Sequence, residues 1–151
     1  MTAQKQTSRD TFYNHFFEQD EVRPQFAKEY ISLWQNWLGM ERLHLLDDVS
    51  EEEWSRFNQM LVAISRFFRM GVVNRASETV EFHAKLEPFL DDYQASMQKN
   101  ASQFSWYVIP ELDCVLTEDW DYTYILWHRN KKALEAIRPL LSEANLKHFS
   151  D

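Results

Sequence analysis

Three groups of side chains in this sequence have types and spacing that could do chemistry. The first is Glu118-Asp119-Trp120-Asp121, three carboxylates around one tryptophan. The segment reads as a hairpin tip, and tips held by rigid strands are well placed to meet a partner. A tryptophan with neighbouring charge resembles an interface anchor. Glu111 and Asp113 lie close in sequence, so this end of the molecule is expected to be negative and to attract a basic surface. The bland alternative is a solvated turn whose Trp120 folds back onto the core. Calcium fits poorly, because the segment lacks the alternating oxygen ligands and the glycine of an EF-hand loop.

The second group is His128-Arg129-Asn130-Lys131-Lys132, at the start of the last expected helix. Cations there oppose the helix dipole. A bound anion would relieve that conflict and use the free amides. His128, Arg129, Lys131 and Lys132 are therefore candidate anion-binding residues. The alternative is a set of exposed bases paired with neighbouring acids.

The third group is the histidines. His15, His44 and His83 fall on three expected helices, with Glu41 three residues before His44 and Glu87 four after His83. Helical bundles hold metals with such residues. A di-iron carboxylate site needs two Glu-x-x-His repeats, and only one candidate occurs, so no metal and no cofactor are expected. His83 reads more simply as a hydrogen-bonded core histidine.

Much familiar chemistry is excluded. Gly39 and Gly71 are the only glycines, so neither a glycine-rich phosphate loop nor a Gly-x-Ser-x-Gly elbow can form. Cys114 is the only cysteine, which rules out an intrachain disulfide. Its neighbour Asp113 would raise the thiol pKa rather than activate it. Among 24 acids many carboxylate pairs are open to general acid–base work, and spacing alone selects none of them.

Composition sets the class. At 44% hydrophobic and 26% charged, the chain is ordinary globular material. Its 151 residues suit one domain, 1–151, with residues 1–7 as a loose tail. The net charge of −8 disfavours nucleic acid and anionic lipid. The polar N-terminus carries no signal-like apolar segment, and no apolar run reaches the ~18–20 residues of a membrane span. A cytoplasmic protein is the expectation.

The elements that must position these residues follow from periodicity. Ser8 is expected to cap a helix to about Glu18. Phe26, Tyr30, Leu33, Trp34, Trp37 and Leu38 recur at three- and four-residue steps, which predicts a helix over 24–38. Ser50 and Glu53 form a capping box ahead of a third helix, with Trp54, Phe57, Leu61, Ile64 and Phe68 inward. A fourth helix is predicted from Asn74 or Ser77 to about Asn100, kinked or broken at Pro88. The pattern then turns to strands over 104–109, 114–117 and 122–127, rich in β-branched and aromatic residues. Both faces of the last strand are apolar, which marks it as central and covered on both sides. Asn130 is expected to cap a helix to about Leu146.

The expected fold is α+β, mostly helical, with about four N-terminal helices, a small three-stranded antiparallel sheet and a C-terminal helix. The leading functional reading is a non-enzymatic acidic module that binds a basic protein through Glu118, Asp119, Trp120 and Asp121. An immunity or antitoxin-like inhibitor has this physical description. One alternative is a small-ligand or enzyme domain, with its site between sheet and helices near His83 and 128–132. Another is a self-assembling structural subunit, such as a homodimer, with Trp34 or Trp37 at the border of an interface.

Overall fold

The computed structural model describes residues 10–151. The expected tail, residues 1–7, and the expected cap Ser8 lie outside them. The chain forms α1 (Thr11–Phe16), β1 (Phe17–Glu18), β2 (Glu21–Val22) and β3 (Ala27–Ser32). Next come α2 (Gly39–Arg42), α3 (Glu51–Phe67), β4 (Gly71–Asn74), β5 (Thr79–Phe82) and α4 (Tyr93–Met97). The last part holds β6 (Trp106–Ile109), β7 (Cys114–Asp119), β8 (Thr123–His128), α5 (Lys131–Glu143) and β9 (Lys147–Phe149). Short 3-10 turns join several of them, including Glu87–Phe89, with Pro88 in its first turn.

The expected architecture is corrected here. Among the described residues, seven strands, not three, form one sheet in the order β5-β4-β6-β7-β8-β3-β9, and β1 and β2 form a separate two-stranded ribbon. Every pairing is antiparallel. The largest differences lie in two segments; β9, after the last helix, and the β1–β2 ribbon are also unexpected.

Residues 24–38 contain β3, which pairs with β8 (Ile31 opposite Tyr124) and with β9 (Ile31 opposite His148). Strands covered on both faces carry near-continuous apolar runs. The run Tyr30-Ile31-Ser32-Leu33-Trp34 matches a helical spacing by coincidence.

Residues 74–100 hold the end of the β4–β5 hairpin, a 3-10 turn and the five-residue α4 rather than one long helix. Glu78, at φ 58°, adopts the left-handed conformation in the turn that reverses β4 into β5.

The first helix is shorter than expected: Asp10 caps α1, accepting from Phe12 N at 2.8 Å and Tyr13 N at 3.3 Å, and Phe17–Glu18 leave it as β1. Other expectations hold locally. The Ser50–Glu53 capping box is present: Glu53 N donates to Ser50 Oγ and Ser50 N to Glu53 Oε1, each at 3.0 Å. These bonds, the backbone one foremost, hold the Glu53 carboxyl below its ordinary range. Asn130 caps α5 through Lys132 N at 2.9 Å. β8 is central, with Thr123, Tyr124, Ile125 and Leu126 all buried.

The two faces of the sheet are covered differently. On one, Phe57, Leu61 and Ile64 of α3 and Ile137 and Leu141 of α5 pack with Ile31, Leu116 and Leu126. On the other, Tyr13, Phe16, Phe17 and Phe26 cover Val80, Val108 and Val115. Burial of so many large side chains, at about 25 cal/mol per Å², is the main term holding the layers together.

Gly71 lies against this second layer with no room for a side chain. A Cβ there would lie 2.2 Å from Val80 Cγ1 and 3.0 Å from Val108 Cγ2.

Candidate binding site at the β7–β8 turn

Strand alternation sorts the acidic group. Cys114, Leu116 and Glu118 point to the helix-covered face, and Val115, Thr117 and Asp119 to the other. Glu118 is consequently turned inward, with its side chain 13% exposed. Its Oε1 accepts from Lys99 Nζ at 2.8 Å and from Ser105 N at 2.9 Å. Ser96 Oγ donates to its Oε2 at 3.5 Å, and Trp54 Nε1 donates to Ser96 Oγ at 3.2 Å. Lys99 Nζ also donates to Ser105 Oγ at 2.9 Å and forms a salt bridge with Asp91. All three ammonium protons thus have acceptors, which is what burial of that charge requires.

Above this floor lies a cavity of about 190 Å³. Trp54, Phe104, Tyr107, Tyr122 and Tyr124 line it together with Trp120. Burial pushes the Tyr107 hydroxyl up to about 12 and the Tyr124 hydroxyl well above the ordinary phenol value. Both phenols are therefore neutral near pH 7. The Tyr122 hydroxyl is raised as well, by partial burial first, then by Tyr93, Asp121 and Asp47.

The turn itself is Trp120-Asp121-Tyr122, closed by the pair Asp119–Thr123. Trp120 is 55% exposed and meets Phe104 edge-on, ring centres 4.7 Å apart. Asp121 and Tyr122 both adopt left-handed backbone, at φ 60° and 57°. That conformation is uncommon for a bulky residue such as tyrosine.

The four residues singled out in the sequence are thus close but do not converge. Glu118 is the partner of Lys99. Asp119 accepts from Trp120 N at 2.8 Å and contributes, after burial and Asp151, to raising the Tyr30 hydroxyl. Asp121 is exposed at the tip. Glu111 and Asp113 belong to the other end of β7, which corrects the expectation that they add to this surface. Glu111 Oε1 accepts from Arg69 N at 2.7 Å. Asp113 lies 2.8 Å from His15 Nε2 and 3.5 Å from Arg129 Nε.

The basic group also disperses. Arg129 turns to Asp113 and to the Phe26 ring. His128 and Lys131 line a groove with Glu29, Glu135 and Arg138. His128 Nδ1 is buried there with no hydrogen-bond partner among the described residues. Glu29, itself buried, lies 2.6 Å from His148 Nδ1. His83 is not on a helix: it follows β5, stacks on Phe89 at 3.7 Å and lies 3.6 Å from Glu81. Trp37 is 49% exposed, packs on Tyr30 and Phe149, and donates to Asp151 Oδ1 at 3.2 Å. Burial, then Asp113, raises the Cys114 thiol far above its ordinary value. Among the described residues, no three or more His, Cys, Asp or Glu side chains converge as metal ligands.

Lys99, Asp91, Trp54 and Phe104 escape sequence reasoning. They come from α3 and from the connections on either side of α4, and nothing local announces that the chain brings them to Glu118.

The chain matches no family model, no curated protein and no solved structure. No helix among the described residues is long and apolar enough to cross a membrane.

Proposed function

We propose that the protein is a non-enzymatic binding module that docks a basic protein partner on the β7–β8 turn, with Trp120 as anchor. The observation that carries this reading is the half-exposed Trp120 ring beside an aromatic cavity, with the exposed Asp121 next to it. A rigid aromatic at the centre of an interface supplies much of its energy. Asp47 adds a second exposed carboxylate near Tyr122. The excess of 24 acids over 16 bases supports long-range attraction of a cationic partner. An immunity or antitoxin-like inhibitor is the biological form that this charge suits.

The test is direct. Partners are captured from cells that express the protein, identified and purified, and their affinities measured for wild type, Trp120→Ala and Asp121→Lys. Trp120→Ala weakens binding by more than about tenfold. Asp121→Lys slows association and flattens its salt dependence. Equal affinity and rate for all three proteins removes the turn from the interface.

A further inference from the structure

We infer that the cavity beside Trp120 receives one arginine side chain of the partner, its guanidinium against the Trp120 and Tyr122 rings and its N–H groups directed at Asp121. This rests on the binding-module reading and names the chemistry of the contact.

Size comes first. A volume of about 190 Å³ falls below the roughly 300 Å³ at which pockets for drug-sized ligands begin. A single side chain fits that space better than a nucleotide or a cofactor does.

Charge comes second. Asp91, Glu118, Asp119 and Asp121 line the cavity against one ammonium, that of Lys99. The buried phenols of Tyr107 and Tyr124 are neutral, so the cavity keeps a net negative charge. Lys99 already satisfies the floor carboxylates and half-buried Asp119 accepts from Trp120 N, which leaves exposed Asp121 at the rim as the most open acceptor. No salt bridge among the described residues engages it.

Ring chemistry comes third. Aromatic faces attract cations. Guanidinium is favoured over ammonium because it is planar, weakly hydrated and able to stack while it hydrogen-bonds in its plane. The protein uses this packing elsewhere: Arg75 lies 3.8 Å over Trp106 and Arg69 lies 4.1 Å over Phe82.

The probe is N-acetyl-arginine methylamide, titrated into nitrogen-labelled protein and followed by NMR. The corresponding citrulline amide, neutral and of the same shape, is the control. Arginine produces saturable shifts at the Trp54 and Trp120 indole N–H and at the Asp121 and Tyr122 amides, and citrulline does not. Trp120→Ala weakens the arginine response by about fivefold, and Asp121→Asn by about threefold. Both sites are exposed, and an otherwise unchanged spectrum shows that the variants fold. Absence of saturable arginine shifts, or equal shifts with citrulline, overturns the inference. If arginine fails while Trp120→Ala still disrupts docking of the purified partner, the cavity proposal falls and the binding module stands. If arginine binds but docking ignores Trp120→Ala, the docking surface lies elsewhere and the module reading at this turn fails.

Discussion

Lys99 Nζ lies 2.8 Å from Glu118 Oε1, with the lysine side chain 10% exposed and the glutamate 13%. This contact ties the connection after α4 to the end of β7, next to the turn on which binding is proposed. Asp91 closes the same ammonium from the other side.

Removing Lys99 leaves two partly buried carboxylates facing each other without a counter-charge. Breaking a buried pair from one side costs about 3–5 kcal/mol. Lys99→Met is expected to lower stability by about 3 kcal/mol in urea unfolding. Adding Glu118→Gln to it recovers part of the loss. A loss under about 1 kcal/mol for the single variant would show that the pair is solvated rather than structural.

Gly71→Ala drives a methyl group into Val80 Cγ1, which belongs to the neighbouring strand of the same sheet. Overpacking of this kind costs about 1–3 kcal/mol. Gly71→Ala combined with Val80→Ala makes room at Cγ1, so thermal unfolding of the double variant should show less than the sum of the two single losses.

Ser50→Ala removes the acceptor of Glu53 N and is expected to cost about 1 kcal/mol. The pH dependence has a definite sign. The folded state holds the Glu53 carboxyl below its ordinary value. Its contribution is therefore present above the unfolded pKa and lost as pH falls through the folded one. Glu53→Gln should differ from wild type at neutral pH and converge with it in acid. A gap that stays constant across that acid range would show that the carboxylate is not the stabilising form.

The phenol of Tyr107 provides the alkaline counterpart. Its folded pKa is raised by burial to about 12, so its contribution is complete below the unfolded value of about 10 and lost as pH rises through the folded one. Near-ultraviolet titration should find Tyr107 and Tyr124 silent until the fold opens. Thiol reagents should reach Cys114 only in that same opening. Free titration of all six tyrosines near their ordinary value would contradict the burial described.

What could be read from the sequence is what local chemistry decides. Ser50 and Glu53, Asn130, and the Thr123–Trp127 run carry their own instructions in caps and β-branched residues. β3 does not. Its residues become a strand because β8 and β9, about a hundred residues away, flank it. The aromatic spacing of 26–38 satisfied a helical template that the backbone never uses. The β4–β5 hairpin was hidden for a related reason: its turn contains no glycine, and Glu78 takes the left-handed position. At the site, Trp120 and Asp121 were visible as a turn with charge. The inward role of Glu118 was not, since the identity of its partner at position 99 depends on a loop path that no local pattern encodes.

The backbone at Tyr122 has a last consequence. Left-handed geometry costs a non-glycine residue roughly 1–2 kcal/mol, and asparagine or glycine at position 122 would ease it. The chain instead places a ring there, over the cavity and against Met97. Tyr122→Asn therefore trades relief of that strain against loss of the ring's packing on the core and on Trp34, so the melting temperature should move little while the wall of the cavity disappears.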